Sequence, residues 1–336
     1  MNFVGIDLHK KTIVLCVTNQ EASVVDRRKL FCDQPDKIRA YFKQLGPFQA
    51  VVEATASYEW LWQLLEPLAD RLVLAHPKKL RIIAESTRKS DRLDAQVLAE
   101  FLARGMIPQA YRPTPRQRAY RVLVRQRCYL QRAQAKLRVK IRRVLSHYNA
   151  ERRDLFTKAG LLYLAEVKVT PTDRLVLDQL LETWQFLRQQ VRVANRHLRD
   201  FAQSAPTAEA EARAALATIP GVGTVTVDVV VSEIADVRRF RSAKEVVAYA
   251  GLCPGQRSSG ERRLDLGITK EGSRLLRWVL VEAAWRLVRQ SPRWQRFFAA
   301  VQARRGAKKA IVAVARRLLT VMVAVWRDGT AYRMVG

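Results

Sequence analysis

Short apolar runs of strand length open the chain. Phe3-Val4-Gly5-Ile6-Asp7 and Thr12-Ile13-Val14-Leu15-Cys16-Val17 are two of them, and the more polar stretch from Ala22 to Phe31 makes a third. Runs this short and this close predict an antiparallel meander. From Asp36 the period changes, with Ile38, Tyr41, Phe42 and Leu45 at helical spacing. Strand and helix then alternate: strands at Gln49–Glu53 and Arg71–Ala75 bracket an amphipathic helix from Ser57 to Ala69. A meander followed by alternation predicts a mixed sheet flanked by helices, over residues 1–110.

After Pro113 the strand pattern stops. Arg116 to Tyr148 contains neither Gly nor Pro, and Leu123, Leu130, Leu137 and Val144 recur every seven residues. That pattern predicts a long helix with a coiled-coil-like seam, although its companion positions Arg127, Gln134, Ile141 and Tyr148 are mixed. A second long helix from Thr172 to Phe201 makes an antiparallel hairpin arm over 111–205 the simplest arrangement. A polar Ala/Glu segment, Ser204 to Glu211, leads into a helical third part, 206–336. Its helices are expected at Thr224–Ala235, Ser242–Leu252, Ser273–Arg289, Arg293–Arg304 and Ala307–Arg327, with a loop or hairpin from Gly255 to Ile268. The fold class is therefore α/β plus all-α.

Charge narrows the partners. The 336 residues hold 60 Lys and Arg against 31 Asp and Glu, a net charge of +29. Phosphate polyanions are the usual counterparts of such an excess, because each neutralised phosphate releases condensed counterions. Between Arg112 and Arg153 fourteen basic residues stand against one acid, Glu151. Arg116, Arg121, Arg125, Arg132, Lys136, Arg138, Lys140, Arg142 and Arg143 lie on the first long helix, some 40 Å of it at about 1.5 Å per residue. No acid interleaves them, so the run predicts an external nucleic acid rather than an ordinary solvated face. Tyr111, Tyr120, Tyr129 and Tyr148 are candidates to stack unpaired bases, with packing between helices the favoured reading for Tyr129 and Tyr148.

Cys16, Cys32, Cys128 and Cys253 are too scattered for a zinc site or a disulfide framework. The longest apolar stretch, Ile311 to Trp326, is broken by Arg316-Arg317, and the start of the chain carries no signal peptide. A cytoplasmic, nucleoid-associated protein with no membrane partner is expected.

The acids are the most telling residues. Asp7 and Glu53 each end an apolar strand, where a carboxylate is costly unless paired. Asp91 and Asp94 open a helix at i, i+3 spacing, which sets both on one face and makes them repel unless a cation intervenes. Singly, each has a bland reading as a turn former or a helix N-terminal acid. Together, three or four converging carboxylates are what Mg²⁺ takes from a protein, with Mn²⁺ the alternative. Strand, later strand, then helix is also the order of ribonuclease-H-like nucleases.

Gly5-Ile6-Asp7-Leu8-His9-Lys10, Val52-Glu53-Ala54-Thr55 and Lys89-Ser90-Asp91-Arg92-Leu93-Asp94-Ala95 resemble the DEDD signature of IS110-type insertion-sequence transposases, whose N-terminal domain is RuvC-like. Ile219-Pro220-Gly221-Val222-Gly223, Phe240, Ala248-Tyr249-Ala250-Gly251-Leu252 and Ile268-Thr269-Lys270-Glu271-Gly272 are similar to that family's C-terminal domain. The resemblance runs in order over nearly the whole chain. It implies a metal-dependent DNA recombinase with Asp7, Glu53, Asp91 and Asp94 as metal ligands.

It also gives meaning to Arg257-Ser258-Ser259-Gly260-Glu261-Arg262-Arg263. By residues alone these serines are solvated turn residues with no evident triad partner. The resemblance maps the family's nucleophilic serine onto Ser259, with Ser258 the neighbouring alternative, and implies a phosphoserine-linked DNA strand. Arg257, Arg262 and Arg263 would offset phosphate charge. It further implies a structured guide (bridge) RNA that pairs with donor and target DNA, and a homo-oligomer, dimer or tetramer, in which carboxylates and serine meet between protomers. Gly221 and Gly223 sit in a helix-hairpin-helix-like turn suited to holding a phosphate. Two other readings remain open: a RuvC-like Holliday-junction nuclease using metal-activated water, and a non-catalytic RNA-binding scaffold.

Overall fold

The computed structural model describes residues 1–55, 57–83, 91–259 and 262–333, except for the side chains of 81–83, 91–92, 256–259 and 262–265. The chain divides into two compact units, Met1–Arg112 and Pro113–Gly336.

The first unit is built on a five-stranded mixed sheet. Its strands are β1 (Asn2–Leu8), β2 (Thr12–Thr18), β3 (Val24–Phe31), β4 (Phe48–Glu53) and β5 (Arg71–Ala75), and its helices are α1 (Pro35–Gln44), α2 (Tyr58–Leu65), α3 (Pro77–Ile83) and α4 (Asp91–Ala103). The spatial order is β3-β2-β1-β4-β5. The first three strands form the expected antiparallel meander, while β1, β4 and β5 run parallel. Alternation along each strand sorts two cores. Val4, Ile6, Ile13, Leu15, Phe48 and Ala50 pack beneath Ile38 and Phe42 of α1 and Leu61 and Leu65 of α2. On the other face Phe3, Val51, Val73 and Ala75 join Leu80, Leu98 and Leu102, and Val14 and Cys16 join Ala95 and Ala99 of α4. Edge strand β3 stays largely exposed and carries Arg27, Arg28 and Lys29, charges that discourage pairing with another sheet edge. Helix α3 has no counterpart in the periodicity argument.

The second unit starts with α5 (Pro115–Ser146), whose N-cap Thr114 forms a capping box with Gln117. After α6 (Lys158–Glu166), α7 (Pro171–Gln203) returns antiparallel to α5: Tyr120 stacks on Phe201 at one end, and Ile141 and Leu145 share a core with Leu177 and Trp184 at the other. The buried residues of α7, Leu177, Trp184, Val191 and Leu198, recur every seven positions. On α5 the buried line is Tyr120, Val124, Cys128, Gln134, Ile141 and Leu145. The series Leu123, Leu130, Leu137 and Val144 lies half-buried beside that line, with Leu123 and Leu137 packed against the two cores.

The remaining helices are α8 (Thr207–Ala217), α9 (Thr224–Ile234), α10 (Ala243–Tyr249), α11 (Arg274–Gln290), α12 (Pro292–Arg305) and α13 (Ala307–Asp328), with the hairpin β6 (Pro254–Ser259) and β7 (Arg262–Ile268) between α10 and α11. The polar Ala/Glu segment is therefore the start of a helix, α8. Helix α9 is buried from Thr226 to Ile234 and forms the centre of a core that also includes Tyr120, Val124 and Cys128 of α5 and Leu198 of α7. The arm expected over 111–205 and the part expected over 206–336 share this core.

Candidate active site and nucleic-acid interface

Asp7 and Glu53 stand side by side. The parallel register pairs Gly5 with Val51 and Ile6 with Val52, so Asp7 comes next to Glu53 at the C-terminal ends of adjacent strands. Both share the parity of Gly5 and Val51, the sheet face that α4 covers. The approach is close because Gly5 has no side chain: a Cβ there would sit 2.0 Å from the Ala95 carbonyl oxygen and 2.5 Å from the Ala99 nitrogen. On α4, positions 91 and 94 fall on the stripe that continues through Ala95, Leu98, Ala99 and Leu102, the residues that contact the sheet. Asp91 is the first described residue of α4, and its side chain lies outside the described residues, as do residues 84–90.

Asp7 is only partly exposed, at 20% of its side chain, and its Oδ2 lies 3.0 Å from Nε2 of His9. His9 is not among the residues that the sequence singles out. The signal was His9 itself, two residues past the acid on a tight β1–β2 turn closed by the His9 amide donating to the Thr12 carbonyl. Among the described residues no three His, Cys, Asp or Glu side chains are grouped to hold a metal ion. The donors present are nonetheless hard carboxylate oxygens from neighbouring strands on one face, which fits Mg²⁺ or Mn²⁺ better than a soft metal.

In the second unit the serines end a strand. The hairpin register pairs Ser258 with Arg263 and Ser259 with Arg262. The side chains of Arg257, Ser258, Ser259, Arg262 and Arg263 lie outside the described residues, as do Gly260 and Glu261. Gly221 has φ +74°, and a Cβ on it would lie 2.9 Å from the Leu287 nitrogen, so this glycine is required for packing against α11. Gly223 N-caps α9 and has open space around it.

The long basic helix is less uncompensated than its sequence indicates. Arg116 pairs with Glu209 at 2.8 Å and lies over the Phe201 ring. Arg125 grips the buried Glu233 through two bonds of 2.8 and 2.9 Å, and Arg121 donates to the carbonyls of Ser232 and Glu233. Arg142 pairs with Glu151, and Arg138 lies over Phe156 and Trp184. The expectation that no acid offsets this run is corrected: acids from other helices do. Arg132, Lys136, Lys140 and Arg143 remain exposed on α5. The tyrosines are also redistributed. Tyr120 is buried and donates to Asp228 at 2.7 Å, and Tyr148 bonds Thr170 and Asp173. Tyr129, expected to pack, is 64% exposed, while Tyr111 is 36% exposed.

Asp228 sits in the core beside Arg213, 2.7 Å away. Burial pushes its carboxyl above the usual aspartate range, and Arg213 opposes that shift. Among the described residues no helix is long and apolar enough to cross a membrane.

Comparison with known proteins agrees with this layout. Residues 4–150 match the family model of the DEDD transposases of the IS110 type, and residues 213–299 match that of the IS116/IS110/IS902 transposase family. The chain is 24% identical to the transposase for insertion sequence element IS1111A of Coxiella burnetii, over 99% of this chain and 92% of that one. It is 24% identical to the transposase for insertion sequence element IS1328 of Yersinia enterocolitica, over 99% and 98%. It is 25% identical to a pilin gene-inverting protein of Moraxella bovis, over 98% and 97%. With both matched regions in the same order as the strand-end acids and the serine hairpin, the chain belongs to the IS110/IS116 family of insertion-sequence transposases, enzymes that recombine DNA.

Proposed function

We propose that this transposase cuts and rejoins donor and target DNA through a strand linked to Ser259, at a centre whose metal ligands are Asp7, Glu53, Asp91 and Asp94. The observation that carries the reading is that Asp7 and Glu53 end adjacent parallel strands, one residue past the pair Ile6–Val52, with the parity of the face that α4 covers. Phe3 shares a core with Leu98 and Leu102, and Gly5 lies under Ala95 and Ala99. Asp7 lies two residues beyond Gly5 on the same strand face, and Asp91 and Asp94 lie N-terminal to Ala95 on α4, which supports assigning all four to one centre. Bound there, Mg²⁺ or Mn²⁺ would supply Lewis-acid stabilisation of the oxygens that enter and leave phosphorus.

The serine step balances without a cofactor of its own. The Ser259 Oγ–phosphorus bond forms as one phosphorus–oxygen bond to deoxyribose breaks. The seryl proton passes to solvent, and the departing oxygen takes up a proton. One phosphoester replaces another, so rejoining needs no ATP. Arg257, Arg262 and Arg263 would offset the charge on the phosphate, and the open N-terminus of α9 at Gly223 offers backbone amides to a DNA phosphate, with Gly221 fixing the turn. A structured guide RNA on the exposed part of α5 would delegate sequence choice to base pairing. A homo-oligomer, dimer or tetramer, would bring one protomer's serine to another's carboxylates.

The test is a denaturing gel of protein with labelled DNA and Mg²⁺. A covalent adduct with wild type, absent with Ser259→Ala and retained with Ser258→Ala, supports the reading. Cutting that persists in Ser259→Ala without any adduct points to the water-using junction nuclease instead. Unchanged behaviour of Asp7→Ala would leave only the non-catalytic scaffold.

A further inference from the structure

Trp278 of α11 keeps 42% of its surface exposed although Leu275, Leu276 and Val279 beside it are buried in the main core. Single exposed apolar residues need no explanation, but this indole is engaged from a second helix. Arg132 of α5 lays its guanidinium over the ring, 5.1 Å from the centroid. Arg274, also exposed, precedes Trp278 by one turn on the same face of α11, and Glu282 follows it by one turn on the side away from Arg274. Tyr129, one turn before Arg132 on α5, is exposed as well.

We propose that Trp278, with Arg132 and Arg274, is a stacking site for an unpaired nucleotide. Each base offers a π face to an indole whatever its identity, so the site is tolerant of sequence. The guanidinium of Arg132 lies over the ring in a cation–π contact, and its planar fork of N–H donors matches the geometry of a phosphate. Paired bases are already stacked within a duplex and cannot reach the indole. The site therefore reads single-strandedness, which goes beyond the phosphate binding proposed for α5 and rests on the same assignment of nucleic acid to this unit.

The full chain is titrated, without divalent metal, against labelled oligothymidylate DNA, oligouridylate RNA and a duplex DNA of equal length, with binding read by fluorescence anisotropy. Trp278→Ala is expected to weaken binding to one or both unpaired strands about five- to tenfold while changing duplex binding less than about twofold. Trp278→Phe, which keeps a stacking ring, should retain most of the affinity. Loss on RNA alone assigns the site to a guide strand, and loss on DNA alone to an unwound DNA strand. Wild-type affinity of Trp278→Ala for both unpaired strands, or an equal loss on the duplex, overturns the proposal. No cleavage is measured, so the outcome is separate from that of the Ser259 and Asp7 variants.

Discussion

Gly5 of β1 lies directly against the backbone of Ala95 in α4, so close that a methyl group on it would stand 2.0 Å from the Ala95 carbonyl oxygen. Asp94 is the adjoining residue of that helix, and Asp7 is two residues along that strand. The contact thus sets the distance between the helix and the strand-end acids. Gly5→Ala should push α4 outward, costing about 1–3 kcal/mol of stability as overpacking does. DNA cleavage should fall much further than the lost stability explains. A urea titration gives the first quantity, and a cleavage assay well below the unfolding midpoint gives the second. Wild-type cleavage by a folded Gly5→Ala protein would separate α4 from the chemistry.

What could be read from the sequence follows from which forces act locally. Asp7 and Glu53 stand out because an acid closing an apolar strand has no packing reason to be there. The length of α5 follows from its Thr114 cap and from the absence of Gly and Pro after Pro115. Which side of α5 is buried most deeply was not legible, because it depends on the distant helix α7, whose Leu177 and Trp184 share a core with Ile141 and Leu145. The fate of the arginines was hidden for the same reason. Glu209 and Glu233 lie 93 and 108 residues from Arg116 and Arg125, beyond any local charge count.

That division among the basic residues is measurable. Glu233 is 2% exposed at its side chain, while Arg125 is 55% exposed. Arg125→Ala would leave a buried carboxylate without its bidentate partner. Breaking a fully buried pair costs roughly 3–5 kcal/mol, and the solvent already around Arg125 reduces this to about 2 kcal/mol. Differential scanning calorimetry should show a clear drop in Tm.

The exposed residues should behave in the opposite way. Replacing Lys136, Lys140 and Arg143 together by Ala should leave Tm unchanged while lowering the slope of log affinity against log salt for nucleic acid. If each touches one phosphate, the slope should fall by roughly two to three. An unchanged slope would take this part of α5 out of the interface.

Asp228 gives the second unit a pH dependence of definite sign. Its folded-state pKa is raised above the ordinary 3.8 by burial, so between the two values the folded protein holds more protons than the unfolded chain. Stability from this group is present below the ordinary value and is lost as pH rises through the raised one. Asp228→Asn keeps an acceptor for the Tyr120 hydroxyl but cannot titrate. Urea midpoints measured from about pH 4 to about pH 7 should show the wild type losing ground to the variant as pH increases. A difference that stays flat, or that grows in favour of the wild type, would place the carboxyl in a less costly environment than its burial indicates.

His9 offers the finest test of the acidic centre. Its Nε2 lies 3.0 Å from Oδ2 of Asp7, and its backbone is fixed by the turn to Thr12. A group that holds a ligating carboxylate in place affects affinity for the metal more than it affects the fold, and losing such a partner typically costs 10–100-fold in metal affinity or activity. His9→Ala should therefore need about tenfold more Mg²⁺ for half-maximal cleavage, with maximal cleavage at saturating metal largely restored and Tm unchanged. His9→Gln, which can still donate to the carboxylate, should fall between the two. Asp7→Asn, by contrast, removes the charge of a proposed ligand, and added metal should not recover its activity. If His9→Ala and Asp7→Asn failed alike at every Mg²⁺ concentration, His9 would take part in the reaction itself rather than position Asp7.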